Sequence, residues 1–90
     1  MAKHPRVLFD PAKDAANIEK HGLTLALASE VIAAAAATFL DDRYDYGEDR
    51  FVTFGRVAGR LYVAVWTERD GEIRAISVRR ANQRELRKYG

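Results

Sequence analysis

Six basic residues lie close together near the carboxyl end of this 90-residue chain. They are Arg74, Arg79, Arg80, Arg84, Arg87 and Lys88. A guanidinium group grips phosphate through paired hydrogen bonds that a lone ammonium cannot reproduce. The segment therefore predicts a phosphate-bearing ligand, for which a nucleic-acid strand is the natural candidate. The alternative is that Arg84 and Arg87 lie on a solvated helix and bind nothing.

Three other side chains could move a proton or stabilise negative charge. His21 could serve in proton exchange, although its predicted place at a helix end also explains it. Glu68 could act as a base, or could pair with Arg69 or Arg74 at the rim of a sheet. Lys13 falls in the first turn of a predicted helix, where a cation opposes the helix dipole, and this favours a functional role.

Aromatic rings near the basic segment could stack on unpaired bases. The candidates are Tyr62, Trp66 and Tyr89. Trp66 falls on a predicted central strand, where a core position is the simpler interpretation. Tyr89 is next to the last residue, which favours exposure.

Composition and charge limit the class of protein. The chain carries 15 Lys and Arg against 13 Asp and Glu, and it has no cysteine, which excludes disulfides and thiolate metal sites. Residues 69–90 hold seven basic and three acidic residues, about +4, while residues 1–50 hold six and nine, about −3. We expect one cytoplasmic domain over residues 1–90, since neither a signal peptide nor a membrane span is recognisable.

Helix signals dominate the first half. Asp10 and Pro11 predict a helix start and Gly22 its end, giving a helix over residues 11–21. A second helix is expected from Thr24, extended by the five alanines at residues 33–37. Residues 38–40 would form a short strand that leaves it.

Residues 41–49 contain five acidic side chains without apolar periodicity and are predicted to form a loop. A divalent metal site is the alternative, but the spacing does not match a calcium-binding loop. A solvated loop is therefore the simpler interpretation.

Three strands are predicted at residues 50–57, 61–68 and 72–80, joined by tight turns at Ala58-Gly59 and Asp70-Gly71. They form an antiparallel meander. Ser77 and Arg79 share one face of the last strand, whereas Arg74 falls on the other by parity, unless a bulge shifts the register. A final helix follows the last strand.

Short motifs in the same order along the chain resemble the BrnT family of bacterial toxins over about residues 6–89. The matching residues are Phe9-Asp10-Pro11-Ala12-Lys13, Asn17, Lys20-His21-Gly22, Glu48, Arg50, Gly55, Thr67-Glu68-Arg69, Arg74, Ile76-Ser77, Arg79, Ala81, Glu85 and Tyr89.

The resemblance implies a RelE-like α+β fold and a ribonuclease that inhibits translation. We expect an antiparallel sheet of about four strands, in the order β-α-α-β-β-β-α, with the helices packed on one face. The implied partner is BrnA, a ribbon-helix-helix antitoxin through which the toxin reaches DNA. Either a homodimer or a heterotetramer would be consistent with such a small core, and no cofactor is expected.

Catalysis in such enzymes is thought to proceed by attack of the ribose 2′-hydroxyl on the adjacent phosphate, which needs charge stabilisation more than a metal. In this hypothesis Arg50, Arg74 and Arg79 bind the scissile phosphate. Proton transfer falls to Lys13, His21 or Glu68. The remaining predicted contacts to RNA are Ser77, Arg80, Arg84 and Tyr89.

Two alternatives remain open from the sequence. The chain could be a binding module without catalysis, such as a degenerate toxin or a co-regulator. The arginines could also serve mainly to receive an acidic segment of the antitoxin.

Overall fold

Five strands and three α-helices make up the described part of the chain, residues 4–43 and 45–90 of a computed structural model. Tyr44 of the predicted acidic loop and the first three residues lie outside it. The elements in chain order are β1 (Val7–Leu8), α1 (Pro11–His21), α2 (Ala28–Ala33), β2 (Ala35–Asp41), β3 (Arg50–Val57), β4 (Arg60–Arg69), β5 (Glu72–Arg80) and α3 (Gln83–Tyr89). No helix among them is both long and apolar enough to cross a bilayer.

The strands form one mixed sheet in the order β1-β5-β4-β3-β2. The strands from β2 to β5 are antiparallel neighbours, whereas β1 pairs parallel with β5. The α+β class is confirmed, but the sheet is a mixed sheet of five strands and not the predicted antiparallel sheet of about four. The sheet is mixed because β1 pairs parallel with the last strand. It has a fifth strand because β2 is longer than the short strand expected at residues 38–40.

Local signals define α1. The Asp10 carboxylate accepts a hydrogen bond from the Ala12 amide at 2.8 Å, and Gly22 closes the helix with a φ of 71°. The predicted helix over residues 11–21 is confirmed at both ends, because each boundary depends on residues next to it.

The alanine run does not continue the second helix. A short 3₁₀ turn (Leu25–Leu27) precedes α2, which ends at Ala33, and β2 already begins at Ala35. Pairing of β2 with β3 overrides the helix propensity of alanine. Gly55 allows α2 to lie close against β3, since a Cβ at this position would clash with the Val31 carbonyl oxygen.

Two tight turns join β3, β4 and β5 as predicted. The central residues all have positive φ: 51° and 81° at Ala58 and Gly59, and 54° and 78° at Asp70 and Gly71. These values match a type I′ hairpin, whose twist suits antiparallel strands.

The sheet is covered on both faces. On one face α2 and the preceding 3₁₀ turn contribute Val31 and Leu25 to a cluster with Ala64 and Val78, and Trp66 packs against it. On the other face α3 packs on Phe54, Leu61 and Val63 through its residues Leu86 and Tyr89. The prediction that the helices share one face was therefore wrong for α3.

Candidate functional site

A bulge in β5 decides which side chains can act together. Val65 pairs with Ser77, whereas the next residue, Trp66, pairs with Ala75, so that Ile76 is an extra residue on β5. Because directly opposite residues share a face, Arg74 joins Ser77 on the face that also carries Thr67 and Val65.

The same bulge places Arg79 on that face, since Arg79 lies opposite Val63. Arg74 and Arg79 thus share one side of the sheet. Arg50 lies opposite Thr67 and shares it too.

Helix α1 is anchored beside β5 by one buried side chain. Asn17 is 6% exposed, and its Nδ2 donates to the Val78 carbonyl oxygen at 2.9 Å. The Val78 amide donates in return to Asn17 Oδ1 at 3.2 Å, and Nδ2 also donates to the Leu23 carbonyl at 2.8 Å. The Asn17 carboxamide therefore satisfies the edge of β5 as a neighbouring strand would.

This anchor fixes the position of the cations of α1. Three residues of α1 lie three or four positions from Asn17 and therefore on the same side of the helix. Lys13 precedes Asn17 by four residues, Lys20 follows it by three and His21 follows it by four. They face the bulged part of β5. We call the set Lys13, Lys20, His21, Arg74 and Ser77 the α1–β5 seam.

Two cavities follow the seam, and Lys13 lines both. One, of about 160 Å³, is lined by Lys13, Arg74, Arg69, Glu48 and Thr67 among others. The other, of about 270 Å³, is lined by Lys13, Lys20, His21 and Ser77 with Ala16, Asn17 and Ile76. Three residues predicted from the sequence for proton transfer or RNA contact, Lys13, His21 and Ser77, thus line one cavity.

The cavity that Lys13 shares with Arg74 is lined by carboxylates as well as cations, because Asp10 and Glu48 also line it. Within the described residues, Lys13, Lys20 and Arg74 form no ion pair, whereas Arg69 donates to Glu48 at 2.8 Å. Cations that lack a carboxylate partner in a shared concavity favour binding of an anion.

Arg79 has a different environment. Its Nη1 and Nη2 donate to the two carboxylate oxygens of Glu85 on α3, at 2.8 and 2.9 Å. These hydrogen bonds lower the pKa of Glu85 and raise that of Arg79. To bind a phosphate, Arg79 would first have to leave Glu85.

Arg50 also contacts other side chains, those of Tyr46 and Glu48. Its guanidinium lies 3.9 Å from the centre of the Tyr46 ring, and Nε is 3.8 Å from Glu48 Oε2. This Nε is buried without a hydrogen-bond partner among the described atoms. Arg50 contacts the acidic loop and lines neither seam cavity.

The other predicted residues lie away from the seam. Glu68 is exposed opposite Ile73 and lines neither cavity. Arg84 is exposed on α3, and Arg80 lines a separate cavity at the other end of β5. Tyr89 stacks on Phe54 with ring centres 4.2 Å apart, which explains why it is not fully exposed.

Sequence reasoning missed Lys20 and Arg69 as lining residues. Lys20 could have been found, because it follows Lys13 by seven residues and so returns to the same side of the helix. The packing of Trp66 against the first core cluster agrees with the simpler interpretation of that residue, and its Nε1 donates to Thr53 at 2.9 Å.

The seam can carry out a limited chemistry. Ammonium and guanidinium groups can neutralise a phosphate, the Ser77 hydroxyl can donate a hydrogen bond, and the His21 imidazole can exchange a proton. These are the groups required for transfer at a phosphate ester.

Comparison with known proteins agrees with this chemistry. No curated protein matches the chain. A family model described as the ribonuclease toxin BrnT of type II toxin-antitoxin systems matches residues 9–85, a range that includes the whole seam. The chain belongs to the BrnT family of type II ribonuclease toxins.

Proposed function

We propose that this chain is an endoribonuclease toxin that cleaves RNA at the α1–β5 seam, thereby inhibits translation in the cytoplasm, and is neutralised by a BrnA-like antitoxin. The observation that carries the proposal is the position of Lys13. It lines one cavity with Arg74 and the next with His21 and Ser77. Phosphate-binding and proton-transfer groups are therefore adjacent.

In the proposed reaction the ribose 2′-oxygen forms a bond to phosphorus while the bond to the 5′-oxygen of the next nucleotide breaks. His21 accepts the proton of the 2′-hydroxyl, the departing 5′-oxygen takes a proton from water, and His21 then returns its proton to the solvent. Arg74 and Lys13 stabilise the charge that develops on the phosphorane, and Ser77 orients it. Because side chains supply the charge stabilisation, the reaction needs no metal ion.

The other residues predicted for the site do not take part in the chemical step of this proposal. His21 is favoured over Glu68 as the base because only His21 lines a seam cavity. Arg50 and Arg79 share the sheet face of Arg74 and would contact the strand on either side of the cleaved bond.

The experiment is cleavage of a defined RNA by the purified chain, with analysis of the new ends. A 2′,3′-cyclic phosphate is expected, together with loss of cleavage in Lys13→Ala and His21→Ala. Arg60→Ala, an exposed arginine at the β3–β4 turn, is the matched control. Intact RNA with the wild-type chain would exclude the proposal.

A second candidate is a binding module without catalysis. It is favoured by the engagement of two of the three expected phosphate ligands, since Arg79 pairs with Glu85 and Arg50 with Glu48 and Tyr46. In that case RNA binds in a salt-dependent way but no product forms. End analysis separates the two candidates directly.

A further inference from the structure

The outer edge of β2 is a strand edge with little protection. Within the described residues no strand pairs with it. Residues 35–40 carry no charge and no proline, and Phe39 and Leu40 remain 46% and 53% exposed. Edge strands of soluble monomers usually carry lysine, proline or bulges that block pairing with another chain.

One irregularity limits the part of this edge that can pair. A bulge between Ala35 and Ala37 interrupts the start of β2. The stretch from Ala37 to Asp41 is regular, and its midpoint is Phe39.

We infer that the outer edge of β2 pairs antiparallel with the same edge of a second copy of this chain, which joins two five-stranded sheets into one. A two-fold axis through such a sheet must keep opposite side chains on the same face. The two-fold axis must therefore lie midway between two copies of the same residue. Pairing centred on the regular stretch makes that residue Phe39.

Charge at the two ends of β2 favours a second copy in this orientation. The acidic residues Asp42, Asp45 and Asp49 follow its carboxyl end. At its other end, Ala35 pairs with Gly55, and Arg56 and Arg60 lie just beyond, around the β3–β4 turn. Antiparallel pairing brings each acidic end to the arginine end of the other copy, whereas parallel pairing would bring the acidic ends together.

Side-chain size is compatible with the same arrangement. With the axis at Phe39, the two copies of this ring meet, and Ala37 of each copy lies opposite Asp41 of the other. Phe39 already contacts Tyr89, with ring centres 5.6 Å apart, so the aromatic cluster would continue across the axis. A pairing of five residues is short, so we expect a weak, concentration-dependent dimer.

The first test is disulfide cross-linking, for which the cysteine-free sequence provides a clean background. Phe39→Cys should couple to itself at least about tenfold faster than Ile18→Cys, since pairing raises the local thiol concentration. Ile18 is a matched control because it is apolar and 47% exposed on α1. Equal rates at both positions would overturn the inference.

The second test avoids any change to the aromatic cluster. Sedimentation equilibrium of the wild type should move from the mass of one chain towards that of two as concentration rises. Leu40→Lys should abolish this shift and Ile18→Lys should leave it intact.

A charge exchange tests the orientation. Arg56→Glu should weaken association, and adding Asp42→Arg should restore it. A wild type that keeps the mass of one chain at every concentration would refute the pairing. None of these measurements uses RNA, so their outcome is independent of the proposed cleavage.

Discussion

The two edges of the sheet differ in how their backbone hydrogen-bonding groups are satisfied. On the β5 side, β1 pairs with Ile73 and Arg74, and Asn17 hydrogen-bonds both backbone groups of Val78. On the β2 side, no described strand pairs with the outer edge. One edge is closed by a side chain and a two-residue strand, and the other is open.

This difference separates two kinds of interaction. Groups that act on a phosphate must be held in a fixed geometry, and the closed edge provides it through the Asn17 anchor. An open strand edge offers backbone amides and carbonyls, which suit pairing with another strand. The proposed ligand site therefore lies at the β5 edge and the inferred protein contact at the β2 edge.

The largest expected effect is on activity at the closed edge. Arg74→Ala should lower RNA cleavage by about 10²–10³-fold, because it removes one preorganised charge at the phosphate. Rates under single-turnover conditions measure this, with Arg60→Ala as the control. If both variants lose activity equally, the site is not at the seam.

The next effect is on stability at the same edge. Asn17→Leu keeps the volume but leaves the Val78 amide and the carbonyls of Val78 and Leu23 without partners, which should cost about 2–4 kcal/mol. The free energy of unfolding from urea titration checks this. Thr38→Val is the matched change on β2, where only the hydrogen bond to Thr53 is lost, and it should cost about 1 kcal/mol.

These two variants also test the comparison itself. An Asn17→Leu protein as stable as Thr38→Val would mean that α1 does not close the β5 edge. The assignment of a rigid site to that edge would then lose its structural basis.

A smaller effect is expected one strand inside the open edge. Gly55→Ala would place its Cβ against the Val31 carbonyl and force α2 away from β3, at a cost of about 1–3 kcal/mol. Thermal unfolding followed by circular dichroism measures it. An unchanged melting temperature would show that α2 can move without penalty.

The smallest effect concerns Arg79 and pH. Because Arg79 holds the pKa of Glu85 below its usual value, this pair contributes stability above the unfolded pKa of about 4.3 and loses it as pH falls through the folded value. Glu85→Gln should cost about 0.5–1 kcal/mol at pH 7, since the pair is partly exposed.

Urea titrations of this variant and the wild type between pH 7 and pH 3 provide the measurement. The two curves should converge in acid. A constant difference across the range would mean that the ion pair does not hold α3.

Local signals explain what could be read from the sequence. The ends of α1 and both hairpin turns depend on residues within a few positions, and they were predicted correctly. The start of β2 within the alanines was missed because pairing with a strand more than ten residues away decides it. The residues around Ile76 do not indicate a bulge in the sequence. The bulge nevertheless determines that Arg74 shares a face with Ser77.

The arrangement of the candidate site could be predicted only in part for the same reason. Lys13, His21 and Ser77 were selected for their chemistry, and the fold brings them to one cavity. The contact between Asn17 and Val78 joins residues 61 positions apart, so no spacing along the chain could indicate it.

The Asn17 carboxamide also limits how far the sheet can grow. A protein with two bare strand edges can add copies indefinitely and form a fibre, whereas here a side chain already occupies the hydrogen-bonding positions of Val78. Addition of a strand along β5 is therefore blocked at Val78, so this part of the sheet does not offer the pairing site that β2 offers. The side-chain amide of one asparagine thus limits strand pairing on this side of the sheet.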